Sequence, residues 1–204
     1  MARLTLKNFK EPEGATPLDP DELEGLKFKH ITTRGELDHL EQANIQEGLQ
    51  WLARQKTTAF FSVNFARQLH QKLFGQVWLW AGTFRQTGKN IGVDPTQIGV
   101  QLSRVLDDAR YWGEQMTYEP LEAAVRFHYR LAFIHPFPNG NGRFARIMGD
   151  MMMEKVFGLP AIDWTAGADL QAITDRRKQY IAALRAADRG DFDLLMAFVG
   201  SATT

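Results

Sequence analysis

Apolar residues recur along most of the chain at three- and four-residue intervals, the period of a helix with one buried face. Leu37, Leu40, Ile45, Leu49 and Leu52 fall on or near one face of a segment that Thr33-Arg-Gly-Glu36 opens as a capping box, which predicts a helix over 33–54. Ser62 starts a second helix through Leu69 and Leu73, with Gly75 placed to end it. Asp94-Pro95 is an N-cap followed by proline, opening a helix through Ile98, Leu102, Leu106 and Ala109 to Trp112. Pro120 opens another, with Ala124, Phe127, Leu131 and Ile134 in phase. It stops at His135, because a following proline biases that residue away from helix. The next helix starts around Gly142 and runs to about Phe157, before Gly158 and Pro160. Residues 168–188 predict a further helix or pair, and Asp191 caps a last one to about Val199. Only Thr83–Val93 reads as strand, where short apolar flanks around Gly88 and Asn90 predict a β-hairpin. Residues 1–32 are rich in Pro, Gly, Asp and Glu and read as an extended arm with one short helical turn. The expected architecture is mainly α, a helical bundle with one small hairpin, in a single domain over 33–200.

Composition narrows the classes of function more than it alters this picture. A 204-residue chain that is 44% hydrophobic and 24% charged can bury an ordinary core. Its formal net charge of zero gives no general attraction to nucleic acid or to a membrane. Cysteine is absent, which excludes disulfides, thiolate catalysis and Cys-ligated zinc. The first residues lack the apolar core of a signal peptide, and no apolar run reaches the roughly 18 residues of a membrane span, so the expectation is a cytoplasmic protein. Arg176-Arg-Lys178 is a short basic run without a nucleic-acid-reading motif around it, and no specific nucleic-acid partner is expected.

The candidate chemistry is concentrated in His135-Pro-Phe-Pro-Asn-Gly-Asn-Gly-Arg-Phe-Ala-Arg146. Gly140, Asn141 and Gly142 allow a tight turn that points backbone N–H groups into one concavity, an arrangement that binds anions. Arg143 and Arg146 lie one helical turn apart, and each offers a planar fork of donors suited to phosphate. His135 stands at the edge of the loop, where a neutral imidazole can accept a proton near pH 7. Phe137 reads as a core anchor for the loop, and His128, two turns before His135, as a packed helix residue.

This stretch resembles the Fic motif, His-x-Phe-x-(Asp/Glu)-Gly-Asn-Gly-Arg-x-x-Arg, at every fixed position except the acidic one, where the chain has Asn139. The likeness extends over roughly 33–198. Trp80-Ala-Gly-Thr-Phe-Arg85 is similar to the start of the Fic flap, and the segment through Lys89, Asn90, Ile91, Gly92 and Val93 is similar to the part that docks a target peptide. The same segment resembles a bacterial subgroup called mobile mystery protein B. The resemblance implies transfer of AMP from ATP to a Ser, Thr or Tyr hydroxyl of a target protein, with release of pyrophosphate. It assigns His135 as general base and Gly140, Asn141 and Gly142 as the anion hole, with Arg143 on the β-phosphate side and Arg146 on the γ-phosphate. It also places the ligand of Mg2+, or of Mn2+, at position 139, where an amide oxygen brings no charge and metal binding and activity are expected to weaken. Ala43-Asn-Ile-Gln-Glu47-Gly48 resembles the inhibitory motif (Ser/Thr)-x-x-x-Glu-(Gly/Asn), with Ala43 in place of the hydroxyl residue, so Glu47 is expected to pair with Arg146. The alternatives are a nucleotide-binding regulatory module with lost catalysis, removal of AMP, or another phosphoryl transfer. A homo-oligomer stays open.

Overall fold

The computed structural model describes residues 19–31, 33–55, 60–165 and 174–200. Residues 1–18 and 32 of the expected arm, and residues 168–173 of the helix expected over 168–188, lie outside these. In chain order the helices are α1 (Pro20–Glu24), α2 (Arg34–Ala53), α3 (Val63–Phe74), α4 (Ile98–Gln115), α5 (Pro120–Ile134), α6 (Asn141–Met151), α7 (Asp175–Ala187) and α8 (Asp193–Gly200). Local sequence explains most of the boundaries. The Thr33 hydroxyl accepts from the Glu36 N–H while the Glu36 carboxylate accepts from the Thr33 N–H. Ser62 caps α3 by accepting from the Phe65 N–H. Asp94 accepts from the Thr96 N–H and starts a short 3-10 turn, Pro95–Gln97, that leads directly into α4. The chain leaves α6 through a π turn, Met152–Val156, which carries the buried Met152 and Met153 to the end of the helix.

Helix α2 lies along α3, α5 lies between α4 and α6, and α7 pairs with α8. The main core is shared by helices α2 to α6 and includes Leu37, Leu69, Leu73, Leu102, Leu106, Phe127, Leu131 and Phe144. A second cluster joins the other face of α5 to α7 and α8 through Val125, Tyr129, Trp164, Tyr180 and Phe198. In the basic run at the start of α7, Arg176 serves this packing by lying over the Phe198 ring and donating to the Phe198 carbonyl, while Lys178 makes an exposed pair with Asp175 one turn away.

Among the described residues the only β pairing is an isolated antiparallel bridge between Leu26 and Trp78, and Thr83–Val93 runs as bends and irregular backbone where a hairpin was expected. Its backbone turns to the end of α5 and not to itself: the Arg85 N–H donates to the Pro136 carbonyl and the Val93 N–H to the Ile134 carbonyl. The Thr87 and Val93 carbonyls, which a hairpin would pair, accept from the Arg85 guanidinium. Side-chain bonding here replaces cross-strand pairing.

Candidate functional site

The loop from His135 to Gly140 connects α5 to α6 and is fixed from several sides. Helix α5 ends on His135 with φ 53° and ψ 59°, a left-handed conformation that costs a non-glycine residue roughly 1–2 kcal/mol. Gly140, at φ 76°, turns the chain into α6, and a Cβ there would lie 2.7 Å from the Phe74 ring. Between them the buried Asn141 side chain accepts from the Phe137 N–H at 2.9 Å and donates to the Phe137 carbonyl at 2.8 Å. The Asn141 amide therefore closes the loop on itself, and its contribution to an anion hole is its backbone N–H. As the first residues of α6, Asn141, Gly142 and Arg143 have N–H groups with no intrahelical acceptor, the donors that make a helix N-terminus an anion site.

His70 of α3 is a participant that the sequence alone did not reveal. Its ring is fully buried and stacks on Phe137, with centroids 3.7 Å apart. Nδ1 accepts from the Gly82 N–H at 3.0 Å, which fixes the proton on Nε2, and Nε2 lies 3.0 Å from the Asn139 carbonyl. The imidazole thus bridges the base of the 83–93 segment to the loop. Burial pulls its pKa down to about 3, so it stays neutral in that role. The one available signal was a histidine in phase with Phe65, Ala66, Leu69 and Leu73 on the buried face of α3.

His135 itself is only 6% exposed. Burial, then the positive charges of Arg85 and Lys89, push its pKa down to about 4. At pH 7 the imidazole is accordingly neutral, the form a general base requires, and burial makes it a weaker base than an exposed histidine. His128 is packed as expected: it is buried, lies against Trp164, and shares a 2.8 Å hydrogen bond between Nε2 and the Tyr180 hydroxyl.

The two arginines of the motif have different surroundings. Arg146 folds back across the first turn of α6, its Nη1 lying 3.5 Å from where a Gly142 Cβ would sit, and its guanidinium faces the Tyr180 ring. Arg143 lies over the Phe74 ring and donates from Nη1 to the Glu41 carboxylate at 2.6 Å. Glu41, 3% exposed, also accepts from the Trp78 indole N–H at 2.7 Å. The expected partner of an arginine, Glu47, is elsewhere. It is exposed, and its carboxylate accepts from the Gln76 amide, not from Arg146. Gly48, read with it as half of a motif, has a packing role: a Cβ there would come within 2.9 Å of the Lys72 carbonyl and of Leu73.

Asn139 fits a metal-ligand role poorly. Its Oδ1 accepts from the Gly140 N–H at 2.6 Å and its carbonyl faces His70. Among the described residues no group of three His, Asp or Glu side chains could hold a metal ion. The flap residues are divided. The Lys89 side chain is only 3% exposed, between Asp19 at 2.8 Å and Glu22, so α1 covers it. Asn90, Ile91 and Gly92 are exposed, and Val93 is half-buried on the Ile134 carbonyl.

A sequence model of the Fic/DOC family matches residues 60–153, a stretch that holds α3 to α6 and the whole connecting loop. These residues form a Fic/DOC family domain. The chain is 28% identical over 146 residues to the protein adenylyltransferase fic-1 of Caenorhabditis elegans, an alignment that covers 68% of this chain and 26% of that protein. It is 25% identical over 174 residues to the protein adenylyltransferase Fic of Nematostella vectensis, covering 82% and 38% respectively. The chain thus spans well under half the length of these curated relatives. In fold it is similar to a fragment of Caenorhabditis elegans Fic-1, with TM-score 0.68 at 24% identity over 88% of this chain and 52% of that one. It is also similar to the BepC protein of Bartonella tribocorum, solved with bound AMPPNP, with TM-score 0.65 at 16% identity over 87% of this chain and 95% of that one. No helix among the described residues is long and apolar enough to cross a membrane.

Proposed function

We propose that the Fic domain transfers AMP from ATP to a hydroxyl side chain of a target protein. The observation that carries this is the pairing of a neutral, buried His135 with the N-terminus of α6, separated only by the rigid 135–140 loop. The relatives' names as protein adenylyltransferases agree with it. In this reading the phosphates lie against the N–H groups of Asn141, Gly142 and Arg143, where the helix dipole favours negative charge. Arg143 and Arg146 add charge-assisted bonds from either side of that turn. His135 accepts the proton of the target hydroxyl as its oxygen attacks the α-phosphorus; the bond to the bridging oxygen breaks and pyrophosphate leaves. Because the 139 side chain is already engaged, no step is assigned to Mg2+ or Mn2+. The exposed backbone of Asn90, Ile91 and Gly92 offers pairing to an extended target segment.

Glu41 is the brake in this reading, not Glu47. Its carboxylate takes one Nη1 donor of Arg143 and neutralises the guanidinium, so it competes with a phosphate oxygen for that arginine. A cytoplasmic location and a place in the mobile mystery protein B subgroup belong to the same proposal; the second rests on Trp80–Val93 alone.

The test uses α-labelled and γ-labelled ATP in parallel, with Mg2+ and then Mn2+, on wild type, Glu41→Gln and Glu41→Gln/His135→Ala. Label from the α position that disappears without His135 supports AMP transfer. Label from the γ position would make the protein a kinase, and tight ATP binding with no label in any variant would make it a regulatory module.

A further inference from the structure

A guanidinium that is 1% exposed sits directly beneath His135 and belongs to Arg85 of the 83–93 segment. Its side-chain bonds go to backbone carbonyls. Nε donates to the His135 carbonyl at 2.6 Å, Nη1 to Thr87 at 2.9 Å, and Nη2 to Val93 and, at 3.4 Å, to Ile134. Asp94 and Glu22 act on it electrostatically from farther away. Burying a cation among neutral acceptors is costly, so the position asks for a reason beyond packing.

The neighbouring backbone supplies it. His135 holds a left-handed conformation, which persists only where the surroundings over-determine it. Gly92, at φ 98°, is what lets Arg85 reach: a Cβ there would lie 2.7 Å from Arg85 Nη2 and 2.7 Å from the His135 Cβ. Arg85 also anchors through its own N–H, which donates to the Pro136 carbonyl at 3.0 Å. Carbonyls on both sides of His135 are thus held by one residue, and the same guanidinium holds Thr87 and Val93 of the flap.

We propose that Arg85 is a positioning residue for His135, fixing its left-handed backbone and joining it rigidly to the flap on which a target would dock. The inference rests on His135 being the base of the reaction proposed above. One fork bridging four carbonyls of two segments sets the distance between base and docked hydroxyl, a distance to which rate is steeply sensitive. Lysine cannot substitute, because a single ammonium has no planar fork to span both segments. The charge has a second effect. The charged groups facing His135 are Arg85 and Lys89, and Lys89 is neutralised by Asp19 and Glu22 of α1. Arg85 is then the charge that most directly resists protonation of the imidazole.

Arg85→Lys and Arg85→Gln would be compared with wild type in two measurements. The first is kcat and KM for ATP in α-label transfer. The second is the ring titration of His135 by NMR, assigned by its loss in His135→Ala. Arg85→Lys is expected to lower kcat by about tenfold or more, with KM for ATP within about threefold and the His135 titration near that of wild type. Arg85→Gln is expected to lower kcat further and to move the titration upward toward the ordinary histidine value. If Arg85→Gln does not fold, Arg85→Lys decides alone. The proposal is overturned by an unchanged kcat in Arg85→Lys, or by kcat and ATP affinity falling together in both variants with no change in the titration. If wild type transfers no AMP, the reading of the function fails. The NMR arm then decides about Arg85: an unmoved His135 signal in Arg85→Gln overturns it.

Discussion

Replacing Glu41 by glutamine removes one negative charge and little else. The amide oxygen can still accept from the Trp78 indole, which now donates to Glu41 at 2.7 Å, so the shape of the α2 face is kept. What is lost is a 2.6 Å contact between side chains that are 4% and 14% exposed. At an effective dielectric of about 20, opposite unit charges about 4 Å apart attract by about 4 kcal/mol. Desolvation of both groups offsets much of that, and Arg143 keeps its place over Phe74. A net cost of about 1–3 kcal/mol in folding stability follows. The same free energy no longer opposes a phosphate at Arg143, so ATP should bind about 5- to 150-fold more tightly, since each 1.4 kcal/mol is tenfold. Isothermal titration of ATP and urea unfolding of Glu41→Gln measure the two sides of this exchange on one preparation. Glu47→Ala is the control, and with its exposed carboxylate it should change neither quantity by more than about 0.5 kcal/mol. An unchanged or weakened ATP affinity in Glu41→Gln, with stability lowered as expected, would refute the idea that carboxylate and phosphate compete.

Three other outcomes are expected. Gly48→Ala should destabilise by about 1–3 kcal/mol in urea unfolding, because the new methyl meets the backbone of Lys72 and Leu73; on an open helix face the same change would stabilise by about 1 kcal/mol. Lys89→Ala should release α1 from the flap, read as faster hydrogen exchange at Leu23 and Leu26 with little change at Leu69 or Leu131. Stability should rise with pH between about 4 and 6. His70 and His128, each with a pKa of about 3, and His135, at about 4, are neutral in the folded protein there and protonated when unfolded. Asp150, raised to about 6 chiefly by burial, opposes them because it holds its proton in the folded state. Three groups against one give a slope of up to about 3 kcal/mol per pH unit within that window; the histidine contribution to stability is fully present above the unfolded histidine value and is lost on acidification toward the folded ones. Urea midpoints across that range check it, and a midpoint independent of pH would count against buried neutral histidines.

Most of the fold and the central loop were legible because their signals are local. A capping box at Thr33, a serine cap at Ser62 and a proline after His135 each act within a few residues, and each ends or begins a helix where its chemistry requires. The 83–93 segment was misread because turn residues between apolar flanks say nothing about where the carbonyls will find donors. Here the donor is a single buried arginine, whose guanidinium holds Thr87 and Val93 of the segment together with Ile134 and His135 at the end of α5. The carboxylate partner of the motif arginines was misplaced for a related reason. A short motif drew the reading to Glu47, whereas the phase of α2 pointed to another residue. Leu37, Glu41, Asn44, Ile45, Gly48 and Leu52 are the buried positions of that helix, one continuous stripe at helical spacing. A glutamate and an asparagine in phase with leucine and isoleucine are polar groups committed to burial, and such groups must have partners. Asn44 finds the Lys72 carbonyl and the Gln76 N–H; Glu41 finds Trp78 and Arg143 in the first turn of α6. Glu47 falls outside the stripe and was free to be a surface residue. Helical phase therefore outranks a two-residue match when the question is which carboxylate reaches the half-buried Arg143, because only a side chain on the buried face can cross to the neighbouring helix.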